Sequence, residues 1–225
     1  GDLWSSGRVD GRASIGIPYA GRTLHSDDRC YWKVRVWTTK GKTAWSAPAT
    51  WSMGLLRAGD WTARWIGLDG SFPWDSATAM FSRLSARYFR KTFHTTGAVA
   101  SATLHISGLG FYRLYINGHR IGDQVLTPVP TDYTRRILYN TYDVTREVSR
   151  GENVVGVVLG NGLFFTMRQH YKTYKIKNFG FPKLIAQLDI RYRDGSTLRV
   201  VTDSTWTETA DGPIRSDNIY DGEDY

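Results

Sequence analysis

The sequence predicts an all-β protein. Apolar and polar residues alternate with period two in several runs, among them Tyr88–Phe93, Tyr112–Ile116 and Leu184–Tyr192. Turn residues such as Gly, Asn and Asp punctuate these runs roughly every 8–12 residues. A helical period of useful length is absent, apart from a single helical turn predicted near Thr145–Ser149. This combination is typical of antiparallel sandwiches, including the jelly roll.

The composition predicts a packed globular protein. The chain has 225 residues, which is enough for one large β domain or two smaller ones. A hydrophobic fraction of 41% and an aromatic fraction of 14% argue against disorder. The nine Trp and thirteen Tyr residues cover sheet faces well and also suit sugar-binding surfaces, but we assign most of them to core packing.

Charge and cysteine content restrict the function classes. The net charge of +8 permits attraction to anionic partners, although the charges are scattered rather than grouped. Cys30 is the only cysteine, so an internal disulfide is excluded, and we interpret this residue as a small buried filler. No run of about 18 apolar residues exists, so the sequence predicts no membrane span. The first residues do not form a signal segment.

Residues 1–57 form the first predicted unit. A strand is predicted over Tyr31–Thr38, a turn at Lys40–Lys42, and a return strand beginning at Thr43–Ser46. Trp4 is assigned to a short first strand. Only about four strands can be drawn, fewer than the roughly seven of a stand-alone sandwich. We therefore expect the early strands of this domain to lie outside the sequence.

The second predicted unit, residues 58–225, is organised around a hairpin. His105 points away from its apolar neighbours in an extended segment that ends at a Gly108-Leu-Gly110 break. Tyr112–Ile116 is the next strand. Asn117-Gly118 then closes a hairpin, because a type I′ turn needs positive φ at both central residues.

Further strands follow the hairpin. Glu152–Leu159 is apolar on both faces, as expected of a central strand of a sandwich. Asp194-Gly195 is a hairpin turn between Leu184–Arg193 and Leu198–Thr202. Before all these strands, Leu55–Asp60 is predicted to be a linker and the Gly, Ser and Pro residues of 68–76 a surface loop.

Few residues suggest catalysis. Asp221-Gly-Glu-Asp224 could supply a carboxylate pair of the kind used in glycoside hydrolysis. A terminal turn or linker is the favoured interpretation, because chain ends are poorly fixed. The five histidines lack metal-ligand spacing, so a zinc site is not predicted, and dinucleotide, Walker and Gly-x-Ser-x-Gly motifs are absent.

A calcium site is the more conceivable metal centre. Calcium takes oxygen ligands from Asp, Asn and backbone carbonyls on loops. Asn117, Asp123, Asp132 and Asn161 lie at predicted strand ends. Each of them, taken alone, is more typical of a turn residue that caps its own backbone.

The stretch Met167–Phe179 interleaves basic and aromatic residues. Such a pattern can track a nucleic-acid backbone while rings stack on bases. It can equally be a loop in which lysine stems cover aromatic rings. We favour the loop, because no second basic patch supports nucleic-acid binding.

The order of motifs in the second unit resembles the N-terminal β-sandwich domain of bacterial α-L-rhamnosidases, which belong to the inverting glycoside hydrolases. No single motif is specific, and their order along the chain carries the resemblance. The matching motifs are Asp60-Trp-Thr-Ala-Arg-Trp-Ile-Gly67, Ala86-Arg-Tyr-Phe-Arg-Lys-Thr-Phe93, Gly110-Phe-Tyr-Arg-Leu-Tyr-Ile-Asn-Gly118, Ile121-Gly-Asp123, Leu126-Thr-Pro128, Thr131-Asp-Tyr133, Tyr142-Asp-Val-Thr145, Gly151-Glu-Asn153, Leu159-Gly-Asn-Gly162, Asp194-Gly195, Thr202-Asp203, Trp206, Gly212-Pro-Ile214 and Ile219-Tyr-Asp-Gly-Glu-Asp-Tyr225.

The first unit is similar to the fibronectin-III-like sandwich that precedes this domain in the family. The matching motifs are Trp4-Ser-Ser-Gly7, Tyr31-Trp-Lys-Val-Arg-Val-Trp37, Ala44-Trp-Ser46 and Gly54-Leu-Leu56. The resemblance implies a partial fibronectin-III-like sandwich over residues 1–57 and a jelly-roll-like sandwich over 58–225. It also implies that the sequence ends before the helical (α/α)6 catalytic barrel, so no catalytic residue is assigned.

The resemblance implies a carbohydrate ligand and a candidate site. Some family members bind rhamnose on this sandwich with the help of calcium. The candidate sugar-binding residues are Asn117, Asp123, Asp132, Asn161 and Phe164, and the first four are also the candidate calcium ligands. No cofactor is required, and the expected partners are L-rhamnose-containing glycans and the catalytic domain. Such enzymes are periplasmic or secreted in bacteria, a location that the sequence itself does not determine.

Three hypotheses follow. The first is a non-catalytic N-terminal portion of an α-L-rhamnosidase-like enzyme that braces the catalytic barrel and binds rhamnose. The second is a free-standing carbohydrate-binding module. The third, a nucleic-acid-binding β protein, rests only on the net charge and on the basic stretch before Phe179.

Overall fold

The computed structural model describes residues 2–11, 16–70, 84–166, 179–219 and 222–225. Most of the predicted loop at 68–76, the basic stretch before Phe179 and Asp221 lie outside these residues. The chain divides into two compact units, Gly1–Trp61 and Thr62–Tyr225.

In its described residues, the first unit contains four short strands and one turn of 3-10 helix. The elements are β1 (Arg29–Trp32), β2 (Trp37–Thr38), β3 (Gly41–Lys42), β4 (Ala49–Ser52) and the 3-10 turn Ala58–Asp60. β1 pairs antiparallel with β4, and β2 pairs with β3.

Two strand predictions for the first unit are wrong in extent. The predicted strand over 31–38 is interrupted, because its middle is held to the return segment by isolated bonds. The Thr43 amide donates to the Val36 carbonyl at 2.9 Å, and the Ser46 amide donates to the Val34 carbonyl at 2.8 Å. Trp4 lies in no strand; its ring instead packs edge-on against Tyr19, with 5.5 Å between the centroids.

The first unit has very little core in the residues that the structure describes. Cys30 is its one buried hydrophobic side chain, as predicted for a filler. The aromatic rings are partly exposed and contact cations instead. The Arg35 guanidinium lies 4.5 Å from the centre of the Trp45 ring and 5.1 Å from that of Trp37.

The second unit is a two-sheet antiparallel sandwich, so the predicted fold class is confirmed. Its strands are β5 (Arg87–Thr95), β6 (Val99–Leu109), β7 (Tyr112–Ile116), β8 (His119–Ile121), β9 (Asn140–Asp143), β10 (Gly151–Leu159), β11 (Lys183–Tyr192), β12 (Thr197–Val201), β13 (Thr207–Thr209), β14 (Ser216–Asn218) and β15 (Gly222–Asp224). One sheet has the order β13-β5-β10-β7-β8 and the other β12-β11-β6-β9. β14 and β15 form a separate hairpin.

The core lies between the two sheets and is drawn from both. Its fully buried members include Leu104, Ile106, Leu114, Ile116, Leu159, Leu184, Leu188 and Ile190. Burial of such side chains stabilises the fold by about 1.5–3 kcal/mol each. β10 pairs with β5 on one side and β7 on the other, as its predicted central position requires.

The Gly108-Leu-Gly110 break carries the chain from one sheet to the other. β6 belongs to the four-stranded sheet and β7 to the five-stranded sheet. Gly110 has a φ of 140°, and a Cβ on it would lie 2.1 Å from the Gly160 carbonyl oxygen. Glycine is required here because the two connections cross at backbone contact.

In the second unit the predicted turns are confirmed, whereas the turn predicted at Lys40–Lys42 lies one residue earlier, because Gly41–Lys42 is β3. Asn117 and Gly118 have φ values of 51° and 83°, as a type I′ hairpin turn requires. Asp194-Gly195 connects β11 to β12. The single helical turn predicted near Thr145–Ser149 is a hydrogen-bonded turn in which the Val148 amide donates to the Val144 carbonyl at 3.3 Å.

His105 points away from the core side chains of β6, as predicted, and it is fully buried on the other face of the strand. Its Nδ1 lies 2.9 Å from the Thr141 hydroxyl, and its ring contacts Tyr139 edge-on at 5.8 Å.

Among the described residues, no helix is long and apolar enough to cross a membrane.

Candidate functional site

One end of the second unit collects its longest connections. By strand register, β7 begins, β10 ends and β11 begins at this end. We call it the loop end and define it as residues 122–139, residues 160–166 and the β14–β15 hairpin. Four of the five predicted site residues lie on it.

The loop 122–139 is fastened to the sandwich by polar contacts. The Tyr112 amide donates to the Thr127 carbonyl at 2.9 Å. The Asn140 amide group donates to the Thr127 hydroxyl at 2.6 Å and to the Tyr112 hydroxyl at 2.7 Å. The Ser107 hydroxyl donates to the Leu138 carbonyl at 2.6 Å. Burial raises the pKa of Tyr112, so its phenol stays neutral within this network.

The same loop exposes apolar side chains to solvent. Five of them have exposed fractions between 37% and 76%, and we call them the apolar loop patch: Val125, Leu126, Val129, Ile137 and Leu138. Because the backbone beneath them is held by hydrogen bonds, the loop cannot turn these side chains inward without breaking those bonds. Exposed apolar side chains grouped on one loop are typical of interaction sites.

The same loop contributes Tyr133 to an aromatic cluster. The Tyr133 ring packs edge-on against Phe164 at 5.3 Å and against Phe179 at 5.4 Å, and the two Phe rings stack at 5.7 Å. Burial raises the pKa of Tyr133. Next to it, the Asp132 carboxylate accepts from the Thr134 amide at 3.0 Å in a local turn and faces the exposed Arg135.

Asn161 fastens the β14–β15 hairpin to the sandwich. Its side-chain NH₂ donates to the Leu84 carbonyl at 3.0 Å and to the Asp217 carbonyl. Asn161 is buried, and its Oδ1 has no hydrogen-bond partner within the described ranges. The Asp217 amide in turn donates to the Leu84 carbonyl at 3.3 Å.

The hairpin also brings two carboxylates together. Asp217 and Glu223 are directly opposite each other in the β14–β15 ladder. The Asp217 carboxylate lies against Gly160, and its burial, followed by repulsion from Glu223, raises its pKa to about 6. Glu223 accepts from the Arg113 guanidinium at 2.5 Å and from the Tyr225 hydroxyl at 2.8 Å. These contacts tie the hairpin to β7 and leave Glu223 engaged rather than open to a substrate.

The structure separates Asn117 from the other predicted site residues. The Val154 amide donates to its Oδ1 at 2.9 Å, so Asn117 lies beside the first half of β10. Asn161 follows the other end of that strand, seven residues further along, which is about 23 Å at the rise of a β-strand. One ion cannot contact both side chains.

The remaining candidates share the loop end. Phe164 contacts Tyr133, which is adjacent to Asp132. Asp123 is exposed on the same loop. The calcium site predicted from all four polar residues can therefore involve at most three of them.

Sequence reasoning missed Asp217 and Arg113. Arg113 and its partner Glu223 are 110 residues apart, so no local spacing connects them. Asp217 is the only carboxylate of the described loop end with a strongly raised pKa, and its cause is tertiary burial. The one available signal is that Ser216–Asn218 and Gly222–Asp224 can pair as a hairpin, which places positions 217 and 223 opposite each other.

The fold defines an all-β protein whose second unit is a two-sheet antiparallel sandwich. Residues 97–225 match the family described as the alpha-L-rhamnosidase N-terminal domain. Residues 1–57 match the family described as Rha78A-like, N-terminal immunoglobulin domain. The chain belongs to the α-L-rhamnosidase N-terminal domain family.

Similar proteins support this assignment and set its limits. An alpha-L-rhamnosidase of Formosa agariphila is 35% identical over 229 residues, covering 100% of this chain and 24% of the relative. The α-L-rhamnosidase structure from Dictyoglumus thermophilum has a TM-score of 0.83 at 36% identity and is matched by 99% of this chain over 25% of its own length. The corresponding structure from Aspergillus terreus has a TM-score of 0.85 at 33% identity, covering 99% of this chain and 26% of that one. The chain thus spans about a quarter of the length of these relatives.

Proposed function

We propose that this chain is a non-catalytic portion of an α-L-rhamnosidase-like glycoside hydrolase and that it braces the catalytic domain of that enzyme. The observation that carries the proposal is the apolar loop patch on a hydrogen-bonded loop, in a chain that matches about a quarter of full-length rhamnosidases. The predicted (α/α)6 catalytic barrel is the proposed occupant of the patch. In the whole enzyme the reaction would be inverting hydrolysis, in which one carboxylic acid protonates the leaving oxygen and a second carboxylate activates water.

The contacts of the loop end favour a supporting role over catalysis. Glu223 is engaged by Arg113 and Tyr225, and the Asp217 carboxylate lies against backbone at Gly160. A pair of catalytic carboxylates needs room for a sugar and, in an inverting enzyme, for a water between them. The contacts of these two groups serve to hold the terminal hairpin in place.

The bracing role is tested by charging the patch. Val129→Asp should weaken the association between this chain and the catalytic domain, because the substitution would bury a charge in an apolar contact. The binding of the 225-residue chain to the separately produced catalytic domain measures this effect. We expect the affinity to fall at least about tenfold. Arg135→Asp, on the same loop outside the patch, is the matched control. Equal binding by both variants would contradict the proposed docking surface.

The absence of catalytic function in this chain has its own test. The isolated chain should not hydrolyse an aryl α-L-rhamnoside. Turnover that is lost in Asp217→Asn or Glu223→Gln would show that the hairpin carboxylates are catalytic and would refute the proposal.

Rhamnose binding is a second candidate function, favoured by the aromatic cluster beside Asp132. Rings and carboxylates on one loop are the groups that sugar sites use, and Asp123 and Asp132 could supply oxygen ligands to calcium. A free-standing carbohydrate-binding module would use the same residues without a catalytic partner. Calorimetry with L-rhamnose, with and without calcium, should detect binding, and Tyr133→Ala should abolish it. If no heat is detected under either condition, the rhamnose-binding function is refuted and only the bracing role remains.

A further inference from the structure

The outer face of the five-stranded sheet carries a groove that the bracing role does not use. One row of residues crosses the sheet in register, consisting of Thr207, Arg90, Gly156, Tyr115 and Arg120 on β13, β5, β10, β7 and β8. Gly156 stands in the middle of this row, so the central strand has no side chain there. A Cβ on Gly156 would meet only the Tyr115 Cβ, at 4.0 Å.

The missing side chain opens a groove of about 440 Å³. Its floor is apolar, formed by Gly156 with Val154 and Val158 on either side along β10, and Tyr88 and Tyr115 stand at its edges. The Tyr88 hydroxyl accepts from the Ile214 amide at 3.2 Å, which fixes that ring in place. The volume falls within the range of small-molecule sites and suits one or two sugar rings.

Arg90 gives the groove its charge. Within the described part of the chain, its guanidinium has no ion pair or hydrogen bond, whereas Arg113 on the same face is paired with Glu223 at 2.5 Å. The nearest carboxylate along the outer face of β10 is Glu152, four residues from Gly156 and about 13 Å away at the rise of a strand. Arg120 on β8 adds a second cation to the row. Glu223, the acid beside Val158, is already paired with Arg113, so Arg90 keeps an unbalanced positive charge among the described residues.

We propose that this groove binds an anionic saccharide, with a uronic acid or sulfated sugar ring on the Gly156 floor and its acidic group on Arg90. The planar guanidinium matches a carboxylate or sulfate in geometry, and such charge-assisted hydrogen bonds are the strong ones. The Val and Tyr side chains contact the C–H faces of the ring. The Tyr115 hydroxyl is free of hydrogen bonds in the described ranges and can donate to a ring oxygen. This inference depends on the groove alone and not on the proposed bracing role.

A pair of ligands that differ only in charge tests the proposal. Methyl glucuronoside and its methyl ester have the same ring, but only the first carries a carboxylate. Each ligand is titrated into the full 225-residue chain, and binding is followed by calorimetry or NMR shifts. The acid should bind at least about tenfold more tightly than the ester. A sulfated monosaccharide should also bind, whereas inorganic sulfate alone should bind far more weakly, because it leaves the apolar floor uncovered.

Two variants locate the site. Arg90→Gln should lower affinity for the glucuronoside about tenfold or more. Arg191→Gln removes another exposed arginine, on the other sheet, and should leave the affinity within about twofold. Gly156→Val should abolish binding while preserving the melting temperature, because a β-branched residue suits a strand and the space for it is open.

Other results would overturn the proposal. Equal affinity for acid and ester, equal effects of the two arginine variants, or binding undiminished in Gly156→Val would each exclude this groove as an anionic sugar site. Tighter binding of a single-stranded oligonucleotide than of the glucuronoside, lost in Arg90→Gln, would assign the groove to a different ligand class.

Discussion

Asp217 shows how one tertiary contact changes the chemistry of a residue. Its burial against Gly160 and the facing Glu223 raise its pKa from 3.8 to about 6. The positive charge of Arg113 lowers the pKa of Asp217, but Arg113 is paired with Glu223 and offsets the increase only in part. The folded chain therefore holds a proton on Asp217 at a pH where the unfolded chain has lost it.

The linked prediction concerns pH and stability. Between pH 4 and pH 6 the folded state binds more protons than the unfolded state at this site, so the contribution of Asp217 to stability falls as pH rises through that window. Asp217→Asn should remove this dependence. We expect the variant to be more stable than the wild type by up to about 2 kcal/mol at pH 8, and the two to converge at pH 4. Urea denaturation across this range measures the difference.

Asp194 provides a control of opposite sign. Hydrogen bonds from the Ser196 hydroxyl and amide, at 2.6 Å and 2.9 Å, lower the pKa of Asp194. Its ionised form is stabilised in the folded chain, so Asp194→Asn should lose stability at pH 8 and converge with the wild type at low pH. If both variants responded to pH in the same direction, the assignment for Asp217 would fail.

Gly110 is a residue where backbone geometry permits no side chain. Gly110→Ala would combine a φ of 140° with a Cβ at 2.1 Å from the Gly160 oxygen. We expect a loss of roughly 3 kcal/mol or more in the free energy of unfolding. Gly118→Ala is the matched control, since its φ of 83° is also positive but a Cβ there meets nothing within 4 Å. It should cost about 1 kcal/mol. Equal losses would show that the crossing at Gly110 is not tight.

At the scale of elements, the β7–β8 hairpin is held to β10 by an asparagine pair. Asn117 donates to the Asn153 Oδ1 at 2.9 Å and to the Glu147 carbonyl at 2.8 Å, and it accepts from the Val154 amide at 2.9 Å. Asn153 is itself buried and bonded to the Ser149 amide at 2.8 Å. The network makes Asn117 a structural residue of the hairpin.

Removing the Asn117 side chain should therefore destabilise the fold. Asn117→Gly keeps the positive φ of the turn but leaves the Val154 amide and the Glu147 carbonyl without these partners. We expect a loss of about 2–3 kcal/mol in chemical denaturation, with no change in the affinity for calcium or rhamnose. A variant as stable as the wild type, or one with altered ligand affinity, would contradict this structural role.

Local patterns predicted the elements better than the contacts between them. The Asn117-Gly118 turn and the central strand β10 follow from short-range rules on φ and hydrophobic alternation, and the structure confirms both. The pattern could not show that β6 and β7 belong to different sheets, because a Gly-x-Gly break is compatible with a hairpin or with a change of sheet. The sequence pattern also grouped Asn117 with Asn161 in one predicted calcium site, because both residues follow strands. Only the strand register shows that they lie at different ends of the sandwich.

At the scale of the whole molecule, the two units differ in how much core they have. All residues of the hydrophobic cluster lie between Ile66 and Trp206, within the second unit. In the described part of Gly1–Trp61, Cys30 is the single buried hydrophobic side chain. Because burial of apolar surface is the main source of stability, the second unit should carry nearly all of it.

The last prediction separates the two units by truncation. A chain of residues 62–225 retains the complete hydrophobic cluster and the segment that pairs with it, in which the Ile66 and Leu184 amides and carbonyls bond to each other at 2.9 Å. It should unfold in one cooperative transition, with a melting temperature within a few degrees of that of the 225-residue chain. A chain of residues 1–61 should show no cooperative transition, because its few strands bury too little apolar surface to offset the entropy of ordering them. Calorimetry of the three chains measures whether each one unfolds cooperatively. Non-cooperative unfolding of the 62–225 chain, or cooperative unfolding of the 1–61 chain, would contradict the expectation that the second unit carries nearly all of the stability.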